Sequence, residues 1–228
     1  MKRLYRAVFY LIGVLILAVG ITLNTKTGLG VSPIVSVTFS TSRIFAWNFG
    51  VVNFCQYTVF ILCEILLRKK ATIAEFLQLP FSFVFSFLLD LCSGLITYDS
   101  TLHGMGANLV LLAAAIVLTG IGISLSVNML LVPNPGDGIV FALAERMGWE
   151  QGFAKNIFDV CCVLTTCGLG LLFAGEIIGI GLGTLATMIG VGRAVALVNR
   201  LCKETMLRLA GLSDPDGEKA NTKEGRIR

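Results

Sequence analysis

The chain has 228 residues, 55% of them apolar and only 14% charged, with a net charge of +4. Soluble domains carry about 25% charged residues, so a chain this apolar is solvated by lipid rather than water. A single histidine, His103, and seven cysteines lying mostly inside apolar runs exclude a histidine zinc site, Ser-His or Cys-His catalysis and a loop-spaced disulfide framework.

Lys2, Arg3 and Arg6 precede the first apolar run, Ala7–Leu23. No small-residue cleavage site closes it, so it reads as a retained span rather than a signal peptide. Ser32–Trp47 follows, apolar but short and broken. The second to fourth spans are Val51–Leu67, Phe76–Ile96 and Ala107–Val127. Pro135–Met147 is a second short element, and Ile157–Ala174 and Ile177–Val198 complete six spans. A bilayer core of about 30 Å takes roughly 20 helical residues, so the two short elements are expected to be half-helices or re-entrant. The expected fold is therefore an all-α integral membrane protein of about six transmembrane helices plus two short broken helices. From Lys203 the chain turns polar. Lys203 to Leu212 is expected to lie on the membrane surface as an amphipathic helix, and the remainder to be disordered.

Basic residues gather at the N-terminus, at Arg68-Lys69-Lys70 after the second span, and along the tail. The connections after the third and fifth spans hold no Lys or Arg. Charge on alternate sides places both termini in the cytoplasm. Lys26 and Arg43, in the first outer connection, are the exceptions.

The two halves resemble each other. Gly20-Ile21-Thr22-Leu23 matches Gly122-Ile123-Ser124-Leu125, Pro33 matches Pro135, and Asn53-Phe54-Cys55-Gln56 matches Asn156-Ile157-Phe158-Asp159, at a nearly constant offset. Residues 1–100 and 101–202 form the expected repeats, followed by a cytoplasmic tail, 203–228. Each repeat has three spans, and an odd number reverses entry, so inverted topology follows. Asn24–Pro33 and Asn128–Gly138 each end a span with Asn and bring Gly and Pro before a short helix. Freed N–H groups at such starts suit an anion or carboxylate, and freed carbonyls a cation.

Few residues carry chemistry. Asp159 and Lys155 stand one turn apart in the fifth span, with Asn156 beside them, and read either as a solute- or proton-coupled site or as a self-neutralised interfacial pair. Asn53 and Gln56 match Asn156 and Asp159 across the repeat. Asp137 either caps the second short helix or faces a site. Asp90 lies within the third span and Arg193 in the last, and the two form a candidate gate or ion pair. Glu64 and Arg68 read as an interfacial pair. The glycine run Gly175–Thr184 either packs helices closely or unwinds, bringing Thr184 or Thr187 to a solute. The expected binding set is Asn24, Ser32, Asn53, Gln56, Asn128, Asn134, Asp137, Asn156, Asp159 and Thr184, with Asp90, Lys155 and Arg193 in gating or ion-pair roles. No catalytic residue, metal ligand or cofactor is expected.

Gly28-Leu29-Gly30-Val31-Ser32-Pro33, Pro135-Gly136-Asp137-Gly138 and Gly179-Ile180-Gly181-Leu182-Gly183-Thr184 resemble motifs of the YczE/YitT-type bacterial multi-pass membrane proteins. The resemblance covers about residues 5–205. In the first half, Ser32-Pro33-Ile34 stands where that family's pattern has a Pro-x-Asp-like element. The resemblance implies a bacterial cytoplasmic-membrane protein related to transport, and no substrate.

The leading expectation is a small-solute transporter working by alternating access. Its alternatives are a solute-binding subunit of a multi-component transporter, or a membrane accessory or scaffold protein. The expected partners are the lipid bilayer, a small anionic or zwitterionic solute and a second copy of the chain, with no nucleic acid.

Overall fold

The structure is a computed structural model and describes residues 2–212. The secondary structure of these residues is helical throughout: α1 (Lys2–Lys26), α2 (Pro33–Phe45), α3 (Phe49–Arg68), α4 (Ile73–Leu95), α5 (Met105–Asn128), α6 (Pro135–Met147), α7 (Gln151–Phe173) and α8 (Leu182–Ala210). Six are long and apolar enough to cross a bilayer. The exceptions, α2 and α6, have 13 residues each. At 1.5 Å per residue each is about 20 Å long, too short for a core of about 30 Å.

Local chemistry sets these boundaries. Both short helices open on proline, whose missing N–H is harmless in the first turn. The Asn134 side chain caps α6 by accepting from the Gly136 N–H at 2.9 Å. Ser32 stands at the same place before α2, and its side chain makes no cap bond. Ahead of α2, Gly28 (φ 67) and Gly30 (φ 101) take left-handed conformations that unwind the chain. A side chain at Gly30 would also meet the backbone N of Gly181, 2.5 Å from where its Cβ would stand.

The helix order runs long, short, long, long, and then repeats. The packing repeats as well. α1 lies against α5; α1 on α4 is matched by α5 on α8, α2 on α7 by α6 on α3, and α2 on α3 by α6 on α7. The α1–α5 seam is close because small residues line it. A Cβ on Gly122 would stand 2.5 Å from the Leu17 N, and one on Gly20 2.6 Å from the Thr119 N.

Polarity is distributed as lipid requires. Leu62, Leu66, Leu172 and Leu182 point outward and are exposed. Ser36, Thr38, Asn53 and Thr166 are buried, and they bond across helices: Ser36 with Thr166 at 2.7 Å, Thr38 with Gln56 at 2.5 Å, and Asn53 with Ser86 at 2.9 Å.

The basic clusters share one end of the bundle. Arg6 donates to the carbonyls of Met129 and Leu130 at 2.6 Å each. Gly211, after α8, lies against the Lys2 side chain. Tyr10, one turn past Arg6, packs on Phe81 in the first half of α4, the helix that follows Arg68.

Two elements differ from the sequence reading. The last span begins at Leu182 rather than Ile177, because Gly179 (φ 87) and extended Gly181 keep Ile177–Gly181 out of helix. Lys203–Ala210 is no separate surface helix. It continues α8 without a break to a left-handed cap at Gly211, and Met206 and Ala210 bury against Met129. Residues 213–228, expected to be disordered, lie outside the described residues.

Candidate functional site

The first turns of α2 and α6 meet at one cavity of about 110 Å³ inside the bundle. The two helices reach it from opposite ends. α2 runs away from it to Phe45, whose ring packs on Phe173 at the end of α7. α6 runs the other way, to Glu145 beside Arg68 at the end of α3. Ser32, Pro33 and Ile34 line the cavity from one half, and Asn134, Gly136 and Asp137 from the other. Lys155 and Asp159 of α7 form a third wall. The Lys155 ammonium donates to both Asp159 oxygens, at 3.1 and 3.0 Å. The aspartate is buried, while the lysine side chain is 46% exposed.

The Asp137 carboxylate is differently placed. Among the described residues no hydrogen bond or ion pair engages it. It lines both this cavity and a neighbouring one of about 280 Å³, bounded by Tyr10, Val14, Ser126 and Leu130–Asn134. The second cavity lies toward the basic end. At the opposite end the break before α2 is sealed by backbone. The Val31 N–H donates to the Gly179 carbonyl at 2.9 Å, and the Gly183 N–H to the Leu29 carbonyl at 2.7 Å. The break before α6 has side-chain ties instead: Arg6 on Met129 and Leu130, and the Tyr10 hydroxyl on the Val132 carbonyl at 2.9 Å.

Of the residues singled out by sequence, Ser32, Asn134, Asp137, Lys155 and Asp159 come together at the cavity. The rest are occupied elsewhere. Asn24 accepts from the Ser32 N–H at 3.0 Å and stitches the first break. Asn128 donates to Asn199 of α8 at 2.8 Å. Asn53 bonds Ser86, and Gln56 donates to the Ile34 carbonyl at 2.9 Å, which pins α2 on α3. Asn156 is exposed on α7. Thr184 accepts from the Gly181 N–H at 3.1 Å and packs against Gly30. Asp90 and Arg193 form no pair. Asp90 accepts from the Gly50 N–H at 2.7 Å, and Arg193 is exposed although Val191 and Gly192 beside it line the cavity. Tyr57, Thr119 and Thr187 also line the cavity and were not singled out as binding residues, although Thr187 stands in the segment that the unwinding alternative brings to a solute. Nothing distinguishes an uncharged Tyr or Thr in an apolar span by sequence alone.

An all-helical bundle of this kind, with six spanning helices and two half-length ones, is a multi-pass membrane protein. Residues 4–200 match the family of unknown function DUF6198, and the chain belongs to that family. Two relatives come from Bacillus subtilis (strain 168). The uncharacterized membrane protein YczE is 25% identical over 194 residues, covering 82% of this chain and 82% of its own. The uncharacterized protein YyaS is 24% identical over 180 residues, covering 79% of this chain and 85% of its own. The similarity to YczE agrees with the resemblance read from the glycine- and proline-rich motifs. No solved structure matches the chain.

Proposed function

We propose that the chain moves a small zwitterionic solute across the bacterial cytoplasmic membrane by alternating access, with both termini in the cytoplasm and two halves of inverted topology. The observation that carries this reading is the meeting of two interrupted helices, one from each half and from opposite ends, at a single cavity. Unwound backbone at membrane depth is tolerated where it lines a cavity, and paired broken helices at a repeat interface mark the binding sites of secondary transporters.

The lining supports a zwitterion over a simple anion. Asp137 and Asp159 face a single Lys155, and the Asp137 carboxylate, with no hydrogen bond or ion pair among the described residues, is placed to meet a cationic group. The start of α2 lacks both an acid and a side-chain cap, so its first N–H groups and dipole suit a carboxylate. The cavity beyond Asp137 gives this state a route toward the basic end, while the backbone pairs at Leu29 and Val31 close the other.

The test has two stages. A thermal-shift screen of zwitterionic metabolites on purified protein identifies a ligand, since binding to the folded state raises apparent stability. Counterflow of that ligand in proteoliposomes containing this protein alone then reads transport. Tight binding without flux removes the transporter reading in favour of a capture subunit. No ligand at all leaves the accessory-protein alternative standing.

A further inference from the structure

We propose a second site, separate from the solute cavity: a monovalent cation, H⁺ or Na⁺, binds at Glu64 and Gln78, where α3, α4 and α6 meet. Glu64, Glu75 and Gln78 are all buried, at 1%, 0% and 0% exposure. Two buried carboxylates share one guanidinium there. Arg68 Nη1 stands 3.1 Å from Glu64 Oε1 and 3.1 Å from Glu75 Oε1. The cluster therefore holds one more buried negative charge than positive, which is expensive in a low-dielectric interior.

The other charged groups do not remove the excess. Glu145 of α6 lies 3.5 Å from Arg68 Nε, adds a further negative charge, and is 72% exposed. Lys69, Lys70 and Arg146 are exposed at the neighbouring helix ends. Glu75 is the better satisfied of the two buried acids. Besides Arg68, it closes the α4 capping box, accepting from the Thr72 N–H at 2.7 Å and from the Thr72 hydroxyl. Glu64 has only Arg68 and the Gln78 amide, whose Nε2 donates to Oε2 at 3.0 Å.

An independent observation marks the place as incomplete. Gln78 Oε1 is fully buried and has no hydrogen-bond partner among the described residues. A buried acceptor without a donor is a rare and costly feature. A cation beside Glu64 supplies what is missing, either as a proton that Glu64 donates to the amide oxygen or as sodium held by the two oxygens.

The site is also placed to be felt. A Cβ on Gly138 would stand 2.5 Å from Glu64 Oε2, so α6 rests directly on this carboxylate. Immediately before Gly138, the cap residue Asn134 and Gly136 and Asp137 of the same helix's first turn line the solute cavity. Cation binding thereby biases the helix that holds the solute. The binding itself does not depend on the transport reading.

The experiment uses the full chain in lipid nanodiscs with Trp47→Phe, which leaves Trp149 as the only tryptophan. Trp149 sits just after α6 and packs on Val140 and Ala144. Its fluorescence and the thermal midpoint are followed against sodium at fixed pH, with choline as the balancing ion, and against pH without sodium. A saturable response to sodium identifies that ion; a response to pH alone identifies the proton. Glu64→Gln is expected to abolish the response, Gln78→Leu to weaken it, and Glu145→Gln to retain it. Should Glu64→Gln fail to fold, the contrast between Gln78→Leu and Glu145→Gln decides. A parent protein indifferent to both ions, or a Glu64→Gln or Gln78→Leu protein that responds like the parent, overturns the proposal.

Discussion

Lys155→Met tests the electrostatics of the cavity wall most directly. The substitution keeps most of the side-chain volume and removes the charge, leaving Asp159 buried at 1% exposure without the donor that contacts both its oxygens. Removing one partner of a fully buried ion pair costs about 3–5 kcal/mol. Lys155 is 46% exposed, so water replaces part of its field, and a loss of about 2 kcal/mol is the appropriate scale. That corresponds to roughly a 30-fold fall in the folded-to-unfolded ratio. Asp159→Asn leaves Lys155 free to extend into water and should lose less. The double variant, with no orphaned charge, should recover most of the stability lost by Lys155→Met. Thermal unfolding of all four proteins in one detergent reads the cycle, and contact between the two residues predicts strong non-additivity. Additive losses, or a Lys155→Met protein as stable as the parent, would refute the claim that this pair is coupled and buried. Binding of an identified solute should also change in Asp159→Asn, together with its pH dependence. Unchanged binding across pH removes Asp159 from the site.

Three further outcomes are expected. Gly122→Val should disrupt the α1–α5 seam, because its side chain would meet the Leu17 backbone; overpacking costs about 1–3 kcal/mol where side chains can give, and more where backbone is met, so the monodisperse yield in detergent should fall. Asp90→Ala should destabilise by about 1–3 kcal/mol by orphaning the buried Gly50 N–H, while Asp90→Asn keeps an acceptor and should lose less, as thermal unfolding can show. Asp137→Asn should weaken binding of a zwitterionic ligand while leaving thermal stability near that of the parent, since among the described residues no hydrogen bond or ion pair engages that carboxylate.

Hydropathy was enough to find the spans, because a run of apolar residues long enough to cross a bilayer has few other uses. It also gave Pro135–Met147 its observed bounds, since proline at the start and Gly148 after the end punctuate that helix. It failed where composition is neutral between conformations. Ile177–Gly181 is as apolar as a helix, and only the positive φ of Gly179 and the pairing with Leu29–Val31 keep it extended. Lys203–Ala210 looked like a surface helix, because the burial of Met206 against Met129 depends on a residue far away in sequence. Within the site, Lys155 and Asp159 were legible from their spacing, and Asp137 from its place at a helix start. Thr187 was harder to read, since its hydroxyl satisfies itself on the Gly183 carbonyl at 2.9 Å, as threonines in helices commonly do. Glu64 read as an interfacial pair with Arg68. Its burial comes from Gln78 and from α6, which no local pattern reveals.

The closure at Leu29 and Val31 is built from peptide groups alone. Alanine at Leu29 or Val31 therefore leaves it intact, whereas alanine at Gly181 or Gly183 would drive a Cβ into the Leu29 carbonyl. Parting the two segments would leave two donors and two acceptors that only entering water can satisfy, so the cost of separating them is one of hydration. The Val31 and Gly183 amides are consequently the places where solvent deuterium should first report a separation of these two segments, well before any side chain does.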